Sequence, residues 1–317
     1  MGWSGRLLVC LAPFAAVVLF GARAAAAQGE PPQRDFVEYR ASELVRVVPD
    51  LVYAKYGERA LLLDLYLPAV MPSATAAGRR RPGVIVVRGG GWMVNDRKRF
   101  AHIASALAEK GVAAACIEYR MADEAAFPGA IQDVKAAVRW MRANAAKYGI
   151  DSRAIGTLGG SSGAHMALLA GLTGGVAEFE GNGGHADTSS EIQGVVAMAT
   201  PVDLLSLSDN NKRTVGTFLH ATPEEDSGKW QWASPVNHIA RGGPAVLLLH
   251  GADDDSVPVS QSADFARRYR EVGASAELQV LPGAPHAFWN YRPWFGEAVE
   301  RAAKFFLQMA KDSTNRK

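Results

Sequence analysis

Cysteine is almost missing from the 317 residues: Cys10 and Cys116 are the only two. Once an N-terminal leader is set aside only Cys116 remains, so no intrachain disulfide forms, and cysteine chemistry and thiolate metal sites are excluded. Excess charge is missing as well. Residues 1–27 carry Arg6 and Arg23 and no acid, so removing them from the 34 basic residues leaves 32 against 32 acidic ones. A formally neutral chain without a basic face gives no electrostatic reason to expect nucleic acid or an anionic membrane as partner. No apolar run reaches the roughly 20 residues that a membrane-spanning helix requires. Internal repeats and long low-complexity linkers are absent too. What is plentiful is glycine, 32 residues, in a chain that is 48% hydrophobic and 21% charged; this profile belongs to an ordered globular protein.

The N-terminus reads as a secretory signal peptide. Arg6 precedes a 14-residue apolar run over 7–20, and Ala24-Ala25-Ala26-Ala27 then offers a small-residue cleavage site before Gln28. The expectation is an exported protein, periplasmic or secreted, with one domain over 28–317 and no membrane association after cleavage. Cys10 sits inside the run and not at a cleavage junction, which argues against lipid attachment.

Beyond the leader, 44–48 and 61–67 read as strands around a turn at Gly57, an antiparallel hairpin. From Pro82 onward short continuous apolar runs (84–87, 112–117, 195–198, 245–249) alternate with helical spacing, as in Ile131, Val134, Val138 and Met141 or Phe295, Val299, Ala302 and Phe306. That alternation predicts an α/β fold with a mostly parallel sheet, helices on both faces and the hairpin at one edge. Two polar excursions interrupt it, 174–190 and 203–235, and the second is placed to form a small cap over a site at the strands' carboxyl ends.

Chemistry concentrates at Gly159-Gly160-Ser161-Ser162-Gly163. This G-x-S-x-G lies between an apolar run over 154–158 and a small-residue helix, the context a strained strand-to-helix turn needs to expose a nucleophilic serine. Such a serine requires a histidine that titrates near neutrality and an acid to orient it, in the chain order Ser, Asp, His, on loops after later strands. His286 follows the run 276–281, whereas His102, His165, His185, His220, His238 and His250 fall in helices or connections, or precede the acid, and read as structural. The acid lies in His250-Gly251-Ala252-Asp253-Asp254-Asp255-Ser256-Val257-Pro258, where three adjacent aspartates qualify. Arg88-Gly89-Gly90-Gly91-Trp92 follows the run 84–87, and there the amides of Gly90 and Gly91, with that of Ser162, suit an oxyanion. No G-K-[ST] follows, which argues against a phosphate loop.

These stretches, with Leu63-Asp64-Leu65-Tyr66-Leu67-Pro68, Glu118-Tyr119-Arg120, Phe127-Pro128, Asp133 and Gly283-Ala284-Pro285-His286, resemble an α/β-hydrolase carboxylesterase. The likeness is greatest to the acetyl-xylan and feruloyl esterase-like (BD-FAE-type) branch, and the chain is also similar to hormone-sensitive-lipase-type esterases. The resemblance implies catalysis by Ser161, Asp254 and His286, since the D-x-x-V-P frame selects Asp254 by the position of Val257 and Pro258. It implies a small-molecule or polysaccharide ester as substrate, and neither metal nor cofactor. Tyr119, Arg120 and Asp133 match family positions of a buried polar network. One departure is Arg88, where the family carries a histidine that braces the glycine run; arginine is expected to brace the loop through another carbonyl or to reach toward an acidic substrate group, the structural role being favoured. Trp92 and Trp289 are expected to line the substrate pocket, and the runs Arg79-Arg80-Arg81 and Arg97-Lys98-Arg99 to be solvated. The alternatives are a prolyl-oligopeptidase-like peptidase, for which the roughly 50 residues before the core are too few to make a propeller, and a catalytically silent binder on the same scaffold. The oligomeric state is not legible.

Overall fold

The computed structural model describes residues 1–2, 34–69, 80–94 and 96–315, so the expected leader lies almost wholly outside the described residues. The strands are β1 (Asp35–Phe36), β2 (Val45–Tyr56), β3 (Arg59–Pro68), β4 (Arg81–Val87), β5 (Ala113–Ile117), β6 (Ile150–Gly160), β7 (Gly194–Met198), β8 (Ala245–Gly251), β9 (Ala276–Leu281) and β10 (Tyr291–Arg292). The helices are α1 (Ala101–Glu109), α2 (Gly129–Ala143), α3 (Ala145–Tyr148), α4 (Ser162–Leu172), α5 (Ala177–Glu180), α6 (Asp209–Leu219), α7 (Ser227–Ala233), α8 (Val259–Glu271) and α9 (Trp294–Asn315).

Eight strands form one sheet in the order β2-β3-β5-β4-β6-β7-β8-β9. The β2–β3 and β3–β5 pairs are antiparallel and every later pair is parallel. The central strands are continuously apolar because both their faces are covered, and successive side chains point to opposite sides. Ile85, Val87, Ala115 and Ile117 join the layer containing α2, α4 and α8, whereas Val84, Val86, Ala114 and Cys116 join the layer containing α1 and α9.

Three expectations change. The strand expected over 44–48, β2, runs to Tyr56, past Pro49 and Asp50, because the pairing register shifts between Val48 and Leu51 and Asp50 takes φ +57°; an edge strand absorbs a proline through such a bulge. A second, two-stranded sheet pairs β1 with β10, and strands of two residues carry no periodicity to read. Two of the charges expected in solvent are buried. Arg81 opens β4 opposite Ile150. Arg97 pairs with Asp50, Asp64 and Glu118 from three separate segments.

Candidate active site

Strand order decides which loops meet. The loops after β4 and β6 emerge side by side, as do those after β8 and β9, all at the carboxyl ends of parallel strands, where α/β sheets build their sites. β6 delivers Ser161 and α4 begins at the next residue. Ser161 has φ +55° and ψ −125°, a conformation that a non-glycine residue holds only under constraint. The constraint is the chain crossing beside it: a Cβ at Gly159 would stand 2.3 Å from the Gly163 carbonyl carbon, and one at Gly163 2.2 Å from the Val87 carbonyl oxygen. Glycine at both positions is therefore a steric requirement of the turn.

His286 Nε2 lies 2.9 Å from Ser161 Oγ, and its Nδ1 lies 2.8 Å from Asp254 Oδ2. With the Nδ1 proton directed at the carboxylate, Nε2 is left as the acceptor for the serine hydroxyl. Of the three aspartates, Asp253 and Asp255 are exposed, and the Asp254 side chain is wholly buried. Its Oδ1 accepts the amides of Ser256 at 3.0 Å and Val257 at 2.8 Å. Burial by itself would raise the Asp254 pKa, but the hydrogen bonds from His250 and His286 outweigh it and hold the carboxyl well below the usual range. The loops carrying the acid and the histidine are tied together, with Ala252 N–H donating to the Leu281 carbonyl at 2.9 Å and Asp253 N–H to that of Ala284 at 3.0 Å.

On the other side of Ser161, Gly90 and Gly91 take φ of +146° and +61°. The Gly90 amide has a partner that the sequence did not suggest: it donates to the hydroxyl of Ser162 at 3.0 Å. Arg88 donates to the Val94 carbonyl at 3.0 Å, closing the loop on itself, and Tyr119 Oη is 3.0 Å from the Arg88 carbonyl oxygen. Arg120, which is partly exposed, pairs with buried Asp133 at 2.8 Å, away from this relay.

A cleft of about 70 Å³ opens on Ser161 and His286; Gly91, Leu207, Val215 and Val257 stand in its wall. Leu207 and Val215 belong to the 203–235 excursion, and Asn211 of α6 donates across to the Ser256 carbonyl at 2.5 Å. A larger open groove of about 590 Å³ on the outside of α6 has neither Ser161 nor His286 in its lining. Trp92 stands in the cleft wall. Trp289 does not: it is buried behind the elbow, where a Cβ at Gly160 would meet its ring at 2.7 Å, and it packs edge-on to His286 at 6.0 Å between centroids. The expectation that Trp289 lines the pocket is corrected accordingly, because its bulk fills the space that Gly160 leaves.

Two histidines set aside as structural touch this machinery. His250 reaches Asp254, four residues on, and His165 reaches Trp92. The His250 signal was present in the sequence as an i, i+4 spacing to the acid; His165 offered none beyond its place one turn after Ser161.

Comparison with known proteins agrees with this architecture. Residues 63–269 match the BD-FAE family and residues 228–312 the dienelactone hydrolase family. Esterase LipQ of Mycobacterium tuberculosis is 32% identical over 239 residues, which is 73% of this chain and 55% of that protein. Isoprenylcysteine alpha-carbonyl methylesterase ICME of Arabidopsis thaliana is 27% identical, over 71% of this chain and 53% of its own. The chain thus spans about half the length of the curated relatives it matches. Among solved structures, a truncated carbohydrate esterase from gut microbiota superposes with a TM-score of 0.73 at 30% identity, covering 84% of this chain and 96% of that one. The propionate-bound esterase Est2 of Thermogutta terrifontis gives 0.68 at 26% identity, covering 84% and 95%. With the family match spanning most of the sheet and the elbow, the chain belongs to the BD-FAE family of α/β-hydrolase carboxylesterases.

Proposed function

We propose that the protein is an exported serine carboxylesterase acting on short-chain or carbohydrate-linked (acetyl or feruloyl) esters. The reading rests above all on the continuous path from Asp254 through His286 to Ser161, with steps of 2.8 and 2.9 Å. Ser161 Oγ attacks the ester carbonyl carbon as its proton passes to His286 Nε2. The carbonyl oxygen becomes an oxyanion held by the amides of Gly91 and Ser162, with Gly90 fastened to the Ser162 side chain beside them. The C–O bond to the alcohol breaks and His286 returns its proton to the departing oxygen, leaving an acyl-serine. Water then attacks the acyl carbon, gives its proton to His286, and the carboxylic acid leaves as Ser161 recovers the proton. Asp254 stays ionised throughout and stabilises the imidazolium.

The short acyl preference is supported by the small size of the cleft, about 70 Å³, well below the volume of a pocket built for a large ligand. The solved relatives bound to propionate and butyrate support the same range, and the one phosphorylated by paraoxon supports covalent chemistry at such a site. The carbohydrate arm is supported by the gut-microbiota carbohydrate esterase. Export is supported by the apolar run and alanine-rich site before Gln28; N-terminal sequencing of the protein recovered outside the cytoplasm tests it. The activity is tested by hydrolysis of p-nitrophenyl acetate, butyrate and octanoate beside acetylated xylan and methyl ferulate, with Ser161→Ala as control. Acetate turnover lost in that variant is expected; octanoate preferred over acetate defeats the short-chain reading.

A further inference from the structure

Trp92 has a backbone conformation that its side chain should oppose. Gly90, Gly91 and Trp92 run consecutively at φ +146°, +61° and +60°, and only the glycines adopt such angles freely; a bulky residue there persists when its surroundings over-determine it. For Trp92 they do so from two directions. The indole stacks on Phe218 of α6 with centroids 5.1 Å apart and planes 14° from parallel. Its Nε1–H donates to Nδ1 of His165 at 3.2 Å. His165 is wholly buried in α4, and its Nε2 lies 2.8 Å from the carbonyl oxygen of Ala233 at the end of α7. Accepting at Nδ1 fixes the tautomer, so Nε2 carries the proton and donates to that carbonyl.

The same residue therefore ties three elements together. His165 is held to the elbow by its own amide, which donates to the Ser161 carbonyl at 3.0 Å. Through Trp92 it grips the loop that carries Gly90 and Gly91, and through Ala233 it grips the 203–235 excursion. We propose that His165 is a positioning residue for the oxyanion loop: its hydrogen bond to Trp92 keeps the Gly91 amide where the charge on the substrate develops. This rests on the reading of Ser161 as the nucleophile. It also makes the 203–235 segment a buttress of the loop, since Phe218 and Ala233 both bear on Trp92 or its partner.

The test measures kcat and KM for p-nitrophenyl acetate, together with Tm, in the wild type, His165→Leu, His165→Gln, Trp92→Phe and the double variant His165→Leu/Trp92→Phe. Leucine removes both ring nitrogens, whereas the glutamine amide supplies an acceptor and a donor at similar spacing. His165→Leu should lower kcat on the order of 10²-fold, the scale of a small misplacement of reacting groups, with KM changed less than about threefold. His165→Gln should recover most of that loss. The double variant should be no worse than the poorer single one, because both break the same bond. If His165→Leu does not fold, Trp92→Phe, which removes the indole donor and keeps an aromatic ring against Phe218, carries the same expectation. A folded His165→Leu with lowered Tm and kcat within about twofold of wild type, or a glutamine variant as impaired as leucine, overturns the proposal. A wild type without Ser161-dependent turnover overturns the esterase reading instead. In that case the tie is judged by the Trp92 indole N–H resonance: its protection from exchange, lost in His165→Leu, sustains the tie, and an unprotected resonance removes it.

Discussion

His250 Nε2 lies 3.2 Å from Oδ2 of Asp254, the same oxygen that His286 Nδ1 approaches to 2.8 Å. His250 is itself pinned, with Nε2 2.9 Å from the Val257 carbonyl oxygen and Nδ1 2.7 Å from Ser262 Oγ. Asp254 is thus oriented by a histidine that never meets the substrate. His250→Leu is expected to lower kcat by about tenfold, the worth of one hydrogen bond to a charged group, with KM little changed; steady-state kinetics decides it. The variant should also unfold at higher pH in an acid titration. A depressed carboxylate pKa stabilises the folded state above its unfolded value of about 3.9, and that contribution is lost as pH falls through the folded value. Losing the His250 bond raises the folded value and shrinks the contribution.

Arg88 grips Val94 at 3.0 Å, and the Tyr119 hydroxyl bears on both Arg88 and Val94 carbonyls at 3.0 and 3.3 Å. Because the tyrosine duplicates part of the brace, Arg88→Met should cost about 1 kcal/mol of transition-state stabilisation, roughly fivefold in kcat. Combined with Tyr119→Phe the loss should exceed the product of the two single losses. Kinetics of the three variants on p-nitrophenyl acetate measure this; additive losses would mean that the two braces act separately.

Leu207 and Val215 close the cleft from the 203–235 excursion, and both are buried. Truncating either to alanine should admit longer acyl chains. The ratio of kcat/KM for octanoate over acetate is expected to rise about tenfold, the scale on which apolar pockets discriminate methylenes. An unchanged ratio would place the acyl chain elsewhere in the cleft.

Burial lowers the pKa of His165 to about 4, against an ordinary 6.5. Between those values the unfolded chain takes up a proton that the folded chain refuses, so stability rises with pH there and falls on acidification. The contribution is at most about 3 kcal/mol across that window. His165→Gln has nothing to titrate, and its Tm should decline less steeply than the wild type's from pH 6.5 to 4.

Arg97 is buried among Asp50, Asp64 and Glu118, with Nε 3.0 Å from Asp64 Oδ2. Arg97→Met leaves the buried Asp64 without its countercharge and should cost about 3–5 kcal/mol, read as a lowered denaturant midpoint with an unchanged m-value.

How much of this was legible follows from where the information lies. Ser161 follows an apolar run that ends in a glycine-rich turn, and His286 follows the alternating edge strand 276–281 and Gly283, so in both cases the end of a strand marks the loop. Asp254 stood among three aspartates, and the choice needed the Val257-Pro258 frame; burial now separates it from its exposed neighbours. Arg97 was unreadable because its partners lie 21 to 47 residues away, and a charge run does not say which of its members turns inward. Trp289 looked available because it sits in a loop, yet the missing side chain of Gly160 made a place for it. The roles of His165 and Ser162 depend on hydrogen bonds to a loop more than 70 residues earlier, at 3.2 and 3.0 Å, and no local pattern encodes them.

The last helix has a further consequence, for synthesis. α9 packs against β4, β6, β7 and β8, where Val299, Ala302 and Phe306 cover Val84, Val86, Leu158 and Val196. A chain emerging from the ribosome makes all eight strands before it makes their cover. Through that interval the part of that face that α1 does not cover is exposed hydrocarbon, the kind of surface that holdase chaperones bind and that aggregates when unattended. Since His286 precedes α9 by only a few residues, the nascent protein acquires its last reacting group and its protective layer almost together, so a translation product halted at residue 280 would be both inert and insoluble.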